Sequence, residues 1–249
     1  ASLSKTGASF DPEKADFDDS YVLTETTPTY IRHGFVRKVF SIVFVQLVIT
    51  FIISLIFYLN KEHVALFVYN HLWIYIVISA TLFVTNIIVV FLPSFIRKYP
   101  LNYIILLLET TLISLMVGFS CVFSTALVLL TSVIVVLVIV FCTILFTLQT
   151  KIDFTKYIIH LVMLSLGSLL FGVLLIFIRN STAASPLEIF YHFLGIAGCI
   201  IWMIFDVQLA LGGKTYEWTI DDYVPAAISI YTDIIGIFIH ILGLADGSC

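Results

Sequence analysis

IAGCIIWMIFDVQLAL (196–211), GGKTYEWTIDD (212–222) and YVPAAISIYTDIIGIFIHILGLA (223–245) are the consecutive pieces of sequence that decide how this chain folds. Two strongly apolar segments flank a short polar hairpin, and each carries one aspartate: Asp206 near the end of the first, Asp233 near the middle of the second. A carboxylate in hydrocarbon costs about 2.5–3.5 kcal/mol even on the lenient insertion scale, so it is retained where it faces a bundle interior, a partner or water. Two such acids on successive segments imply two neighbouring membrane helices with inward-facing carboxyls.

The rest of the chain agrees. Of its 249 residues 61% are hydrophobic and 11% charged, and the mean hydropathy is +1.12. That composition is an integral membrane protein's. The net charge of -4 comes largely from the first thirty residues and the hairpin before the last segment. No basic run or aromatic-basic interleaving points to nucleic acid. Cys121, Cys142, Cys199 and Cys249 form no C-x-x-C pair and no cluster with histidine. A disulfide framework or structural zinc site is not expected from them; Cys142 and Cys199 read as small packing residues. No cofactor is expected.

A hydrocarbon core about 30 Å thick needs about 20 helical residues, and seven stretches meet that length: 39–59, 72–92, 101–119, 126–147, 156–178, 189–211 and 223–244. Residues 1–30 have neither helical nor strand periodicity and read as a disordered, acidic cytosolic tail, leaving 31–249 as the membrane domain. With the N-terminus cytosolic, that side carries Lys5, Lys14, Arg32, Arg37, Lys38, Arg97, Lys98, Lys151, Lys156 and Lys214, and the other only Lys61 and Arg179. Such asymmetry sets orientation and fits an odd number of crossings. It puts the sequon Asn180-Ser181-Thr182 on the far side. Ser168 with Gly172, and Gly195 with Gly198, are small residues expected at close helix contacts. The fold class expected is an all-α membrane protein, a seven-transmembrane-helix bundle.

A third acid, Glu109, stands inside the third span. At 1.5 Å per residue it lies about 12 Å in from residue 101, Asp233 about 15 Å in from residue 223, and Asp206 about 8–12 Å from the cytosolic end of its helix. The three carboxyls could share one layer. Two neighbouring acids in a desolvated place cannot both ionise cheaply and titrate as a coupled pair. Sharing one proton, Asp206 and Asp233 hold their helices together; with both ionised they repel, or accept a hard cation such as calcium in transit. The bland alternative is that each aspartate bonds a neighbouring helix as a packing device. His240 follows Asp233 by seven positions and is a candidate proton relay, although a backbone partner is the commoner fate of such a histidine. His160 and His192, near span ends, read as interfacial. Arg97, with Lys98, is either a topology anchor or a partner for an acid at the cytosolic mouth.

Several pieces together resemble the transmembrane Bax-inhibitor-motif family, in its Lifeguard branch: IRHGFVRKVFSIVFVQLVIT (31–50), FIRKYPLNYIILL (95–107), LFTLQTKIDFT (145–155), GIAGCIIWMIFDVQLALGG (195–213) and DDYVPAAISIYTDIIGIFIHIL (221–242). The resemblance implies a bundle with the last helix central, resident in the endoplasmic reticulum or Golgi, with the plasma membrane as the alternative. It implies a passive calcium leak, suppression of programmed cell death, and apoptosis-pathway or receptor proteins as partners beside the lipid bilayer, calcium and protons. The family's pH-sensing aspartates map onto Asp206 and Asp233, and its latching arginine maps nearest to Arg97. Three departures stand out: Gly236 where relatives usually carry asparagine, Glu109 where an acid is unusual, and a second span without the carboxylate that some members carry there.

Three functions compete. The first is a pH-sensitive calcium leak channel with an anti-apoptotic consequence, which is not an enzyme. The second is an intramembrane aspartyl protease, which also shares a proton between two helix-borne aspartates; Tyr231-Thr232-Asp233 lacks its Gly-x-Gly-Asp. The third is a non-conducting scaffold acting through protein partners.

Overall fold

In the computed structural model the described residues are 23, 27–91, 96, 99–178, 184–212, 215 and 218–246. Most of the expected tail, Arg97, Lys98 and the sequon at Asn180 lie outside them. The helices are α1 (Thr29–Leu59), α2 (Lys61–Asn70), α3 (Leu72–Phe91), α4 (Leu101–Cys121), α5 (Ala126–Gln149), α6 (Ile158–Ile178), α7 (Ala184–Leu211) and α8 (Tyr223–Asp246). A 3-10 turn, Phe154–Tyr157, leads into α6. Every helix but α2 is long and apolar enough to cross a membrane, which gives the seven expected spans.

Two expectations are corrected locally. α1 begins at Thr29 rather than near residue 39, so Arg32, Arg37 and Lys38 ride on the helix itself. At 1.5 Å per residue its 31 residues reach about 46 Å, which crosses the core and continues into the headgroup layer. The connection 60–71, expected as loop, contains α2, whose Val68 is buried with Ile78 and Phe119. Ten residues are too few to span, but one apolar contact against α3 and α4 suffices to order them.

α8 is the centre. It packs against α7, α5, α1 and α4, whereas α3 rests on α4 and α2, and α6 on α7. Ala226, Ala227, Ile230, Tyr231 and Ile237 of α8 are wholly buried, while outer helices turn Leu137, Phe141, Ile176 and Phe177 outward. Lipid is as apolar as leucine, so this sorting is not driven by hydrophobicity. Small residues and interhelical hydrogen bonds decide which helix goes inside, and α8 carries both.

One end of the bundle is closed by clasps built from the motifs. Gln208 of α7 donates to the Ile152 carbonyl at 2.8 Å and accepts the Phe154 amide at 2.9 Å. Asp153 accepts from the Thr155 amide at 3.0 Å and from the Thr215 hydroxyl at 2.8 Å, fastening the α5–α6 connection to the residues after α7. Burial alone would raise the Asp153 carboxyl, but these hydrogen bonds outweigh it and hold its pKa below the ordinary aspartate value. Asp222 caps the approach to α8, accepting from the Thr219 amide at 2.8 Å. Lys38 sits 3.1 Å over the Tyr223 ring, a cation–π contact joining α1 to α8. Leu23, inside the segment expected to be disordered, is fully buried, and its amide donates to the Trp218 carbonyl at 3.0 Å. The tail is therefore pinned at that point, against Gly212, whose φ of 69° makes the turn after α7.

Candidate functional site

Asp206 lies one turn and a half before the end of α7, on the strip facing α8; Asp233 lies midway along α8, facing back. Their carboxyls lie within hydrogen-bonding reach of each other. Such a bond forms only when one of the two carries a proton. Asp206 is 5% exposed, between Met203, Val207 and Ala210, which are buried too. Asp233 Oδ2 is buried without a hydrogen-bond partner, in a class of groups of which nine in ten or more are satisfied. The pair is thus joined through one side and has an unused acceptor on the other.

That acceptor could take a proton, a water or a cation. Two carboxylates supply at most four of the six to eight oxygens that calcium takes. Among the described residues no group of three or more His, Cys, Asp or Glu could hold a metal around them. The chemistry open to the pair is proton exchange and contact with a cation whose remaining ligands come from elsewhere. Gly236, the position expected to carry asparagine in relatives, is packed on Cys199: a Cβ there would stand 2.7 Å from the sulfur. A larger residue there requires the cysteine to yield.

Glu109 belongs to a different neighbourhood. It is wholly buried on α4, beside Thr85 of α3 and within electrostatic reach of Tyr231. The Thr85 hydroxyl is committed to the Thr81 and Leu82 carbonyls at 3.1 and 3.0 Å, so both Glu109 oxygens lack a well-formed hydrogen bond. Tyr231 precedes Asp233 by two residues, about 200° round the helix, and so turns to the opposite face. Its hydroxyl meets Thr50 at 2.7 Å, and Thr50 meets Ser114 at 2.9 Å. Gln46 donates to Thr110 at 2.9 Å in the same ladder. The structure joins two of the three acids and sets Glu109 with the ladder on the far side of α8. The ladder was missed in the sequence, yet it left a signal: Gln46 and Thr50, like Thr110 and Ser114, are polar pairs four apart in otherwise apolar helices.

A cleft of about 830 Å³ opens between α1 and α4, with Arg37 and Lys38 along it and Gln46 and Thr110 among its lining. It approaches the ladder and does not include the aspartates. His240 does not find the expected backbone partner; its Nδ1 is 3.3 Å from His192 Nδ1. His192 is correspondingly part of an α7–α8 contact, where the sequence reading had it interfacial. Arg97, the candidate latch, lies outside the described residues.

The comparisons with known proteins bear on the whole arrangement. The family model described as inhibitor of apoptosis-promoting Bax1 matches residues 32–248, which include all seven spans from early in α1 onward. Human protein lifeguard 3 is 34% identical over 239 residues, covering 96% of this chain and 76% of its own length. Protein LIFEGUARD 3 of Arabidopsis thaliana is 30% identical over 224 residues, covering 85% and 84%. Bax inhibitor 1 of Schizosaccharomyces pombe is 29% identical over 214 residues, covering 85% and 76%. No solved structure matches the chain significantly. Seven apolar spans, the last of them central, carrying the two-aspartate seam and matched from residue 32 to residue 248, place this chain in the Bax inhibitor family, among relatives that include the Lifeguard proteins.

Proposed function

We propose that the chain is an anti-apoptotic membrane protein that lets calcium leak across an endomembrane, under control of the proton shared by Asp206 and Asp233. Family membership carries the anti-apoptotic membrane role. The observation that carries the gate is the approach of the two buried carboxyls to hydrogen-bonding reach, with Asp233 Oδ2 left over. While one proton is shared, the bond ties α7 to the central helix and the seam is shut. When that proton leaves, two like charges face each other in a desolvated seam. The helices part, and carboxylate oxygens are presented to a hard divalent cation. Flux therefore rises with pH.

The N-terminus lies in the cytosol, as the lysine and arginine asymmetry requires, and the membrane is that of the endoplasmic reticulum or Golgi. Lowered store calcium is the route to protection from cell death. Glu109 and His240 stand outside the gate as accessory groups, and Arg97 is the candidate latch at its mouth.

The test is calcium flux through the purified protein in liposomes, comparing wild type with Asp206→Asn and Asp233→Asn between about pH 6 and about pH 8. The wild type should conduct more at the higher pH, and the two amides, which cannot lose the proton, should flatten the response. A wild-type protein that is silent at every pH, with cell protection intact, transfers the function to a scaffold that binds apoptosis-pathway or receptor proteins.

A further inference from the structure

α7 and α8 carry the same His-x-Leu-Gly pattern, His192-Phe-Leu-Gly195 and His240-Ile-Leu-Gly243. Because the helices run antiparallel, each histidine lies over the other's glycine. A Cβ on Gly195 would stand 2.3 Å from His240 Cε1 and Nε2, and one on Gly243 would stand 2.3 Å from His192 Cε1. No side chain fits at either glycine while the rings stay where they are. The reciprocal seating brings the two Nδ1 atoms within 3.3 Å of each other, with the Tyr191 ring edge-on to both imidazoles.

We propose that His192 and His240 form a binding site for a borderline-soft divalent cation of the zinc class, bridging α7 and α8 at the end of the bundle remote from the Asp153 and Gln208 clasps. Two nitrogens each 2.0–2.1 Å from a tetrahedral zinc stand about 3.3 Å apart, which is the separation the glycines impose. Without metal the same separation serves an N–H···N hydrogen bond between the two rings. Imidazole suits zinc, whereas calcium and magnesium take oxygen. Among the described residues no third His, Cys, Asp or Glu completes a cluster, so the protein supplies two ligands and water the others. Glu188, one turn before His192 on the same face, acts on it electrostatically and adds negative charge on the approach. The site shares the α7–α8 seam with the aspartates, since His240 follows Asp233 by two turns, but it does not depend on whether that pair gates a flux.

The experiment uses the full chain in detergent. Zinc added to the wild type should bind one to one and raise the thermal midpoint. X-ray absorption of the zinc-loaded wild type should show two imidazole nitrogens at about 2.0 Å and no sulfur. His192→Gln and His240→Gln should each weaken zinc binding about tenfold or more while unfolding, without metal, at nearly the wild-type temperature. Sulfur in the zinc shell, or equal zinc binding by wild type and both variants, overturns the proposal; so does absence of binding to the wild type. If either variant fails to fold, the absorption measurement on the wild type decides by itself.

Discussion

The two faces of the central helix bury polar groups in opposite ways. Toward α1 and α4, Tyr231 joins Thr50 and Ser114 in a ladder of neutral hydroxyls with hydrogen bonds of 2.7 and 2.9 Å. Toward α7, Asp233 has one partner, Asp206, and an oxygen with none. The bonded Tyr231, Thr50 and Ser114 hydroxyls fix the helix in place, while beside them Gln46 Oε1 and both Glu109 oxygens are buried without a partner. On the proposed reading, an acid pair with a spare acceptor has two states that differ by a proton, and scaffold and switch would then sit on one helix at positions two residues apart.

The largest effect should come from breaking the pair on one side only. Asp206→Leu leaves both Asp233 oxygens without a partner and should destabilise the protein by about 3 kcal/mol, measured by unfolding in mixed micelles. Adding Asp233→Leu should restore most of that stability, because removing both partners leaves nothing unsatisfied. A double variant as unstable as the single one would mean that the carboxyls are not each other's principal partners. Next in size is Gly195→Leu. It drives a side chain into the His240 ring and should cost about 1–3 kcal/mol in the same assay. Smaller still is Tyr231→Phe, about 0.6–1.7 kcal/mol, the range of interhelical hydrogen bonds in membranes. It should leave the pH response of calcium flux unchanged. A flattened response there would erase the distinction between the two faces.

The smallest effect belongs to Asp153, outside the spans. Its carboxyl is held below the ordinary value by the Thr155 and Thr215 hydrogen bonds. It therefore contributes stability that is fully present above the unfolded-state pKa and is lost as the pH falls through the folded-state pKa. The protection of the amides at residues 150–158, taken relative to their intrinsic exchange rates, should fall on acidification below that value. Asp153→Asn should remove this pH dependence. If acid leaves that protection in the wild-type connection unaltered, the clasp does not depend on the ionised carboxylate.

Seven crossings were legible because the test is one-dimensional: hydrocarbon thickness sets a length, and apolar runs of that length can be counted. The acid pair was legible in part. Asp206 and Asp233 fall on consecutive helices joined by a short hairpin, which makes them neighbours in depth, but their meeting needs both to face the same seam. Glu109 shows the limit of that reasoning. Its depth put it in one layer with the aspartates, and its helix face put it on the other side of α8.

Sequence by itself determined the membrane class, the span count and the family, since each follows from composition, run length or motif order along the chain. Tertiary structure alone decided the rest. The angle at which α7 crosses α8 brings Gly195 under His240 and Gly243 under His192. The rotation of α8 assigns Tyr231 to the ladder and Asp233 to the pair. The Trp218 carbonyl captures Leu23 from a segment with no periodicity of its own. Each is a relation between residues distant in the chain, set by helix rotation and close approach, quantities that no local pattern encodes.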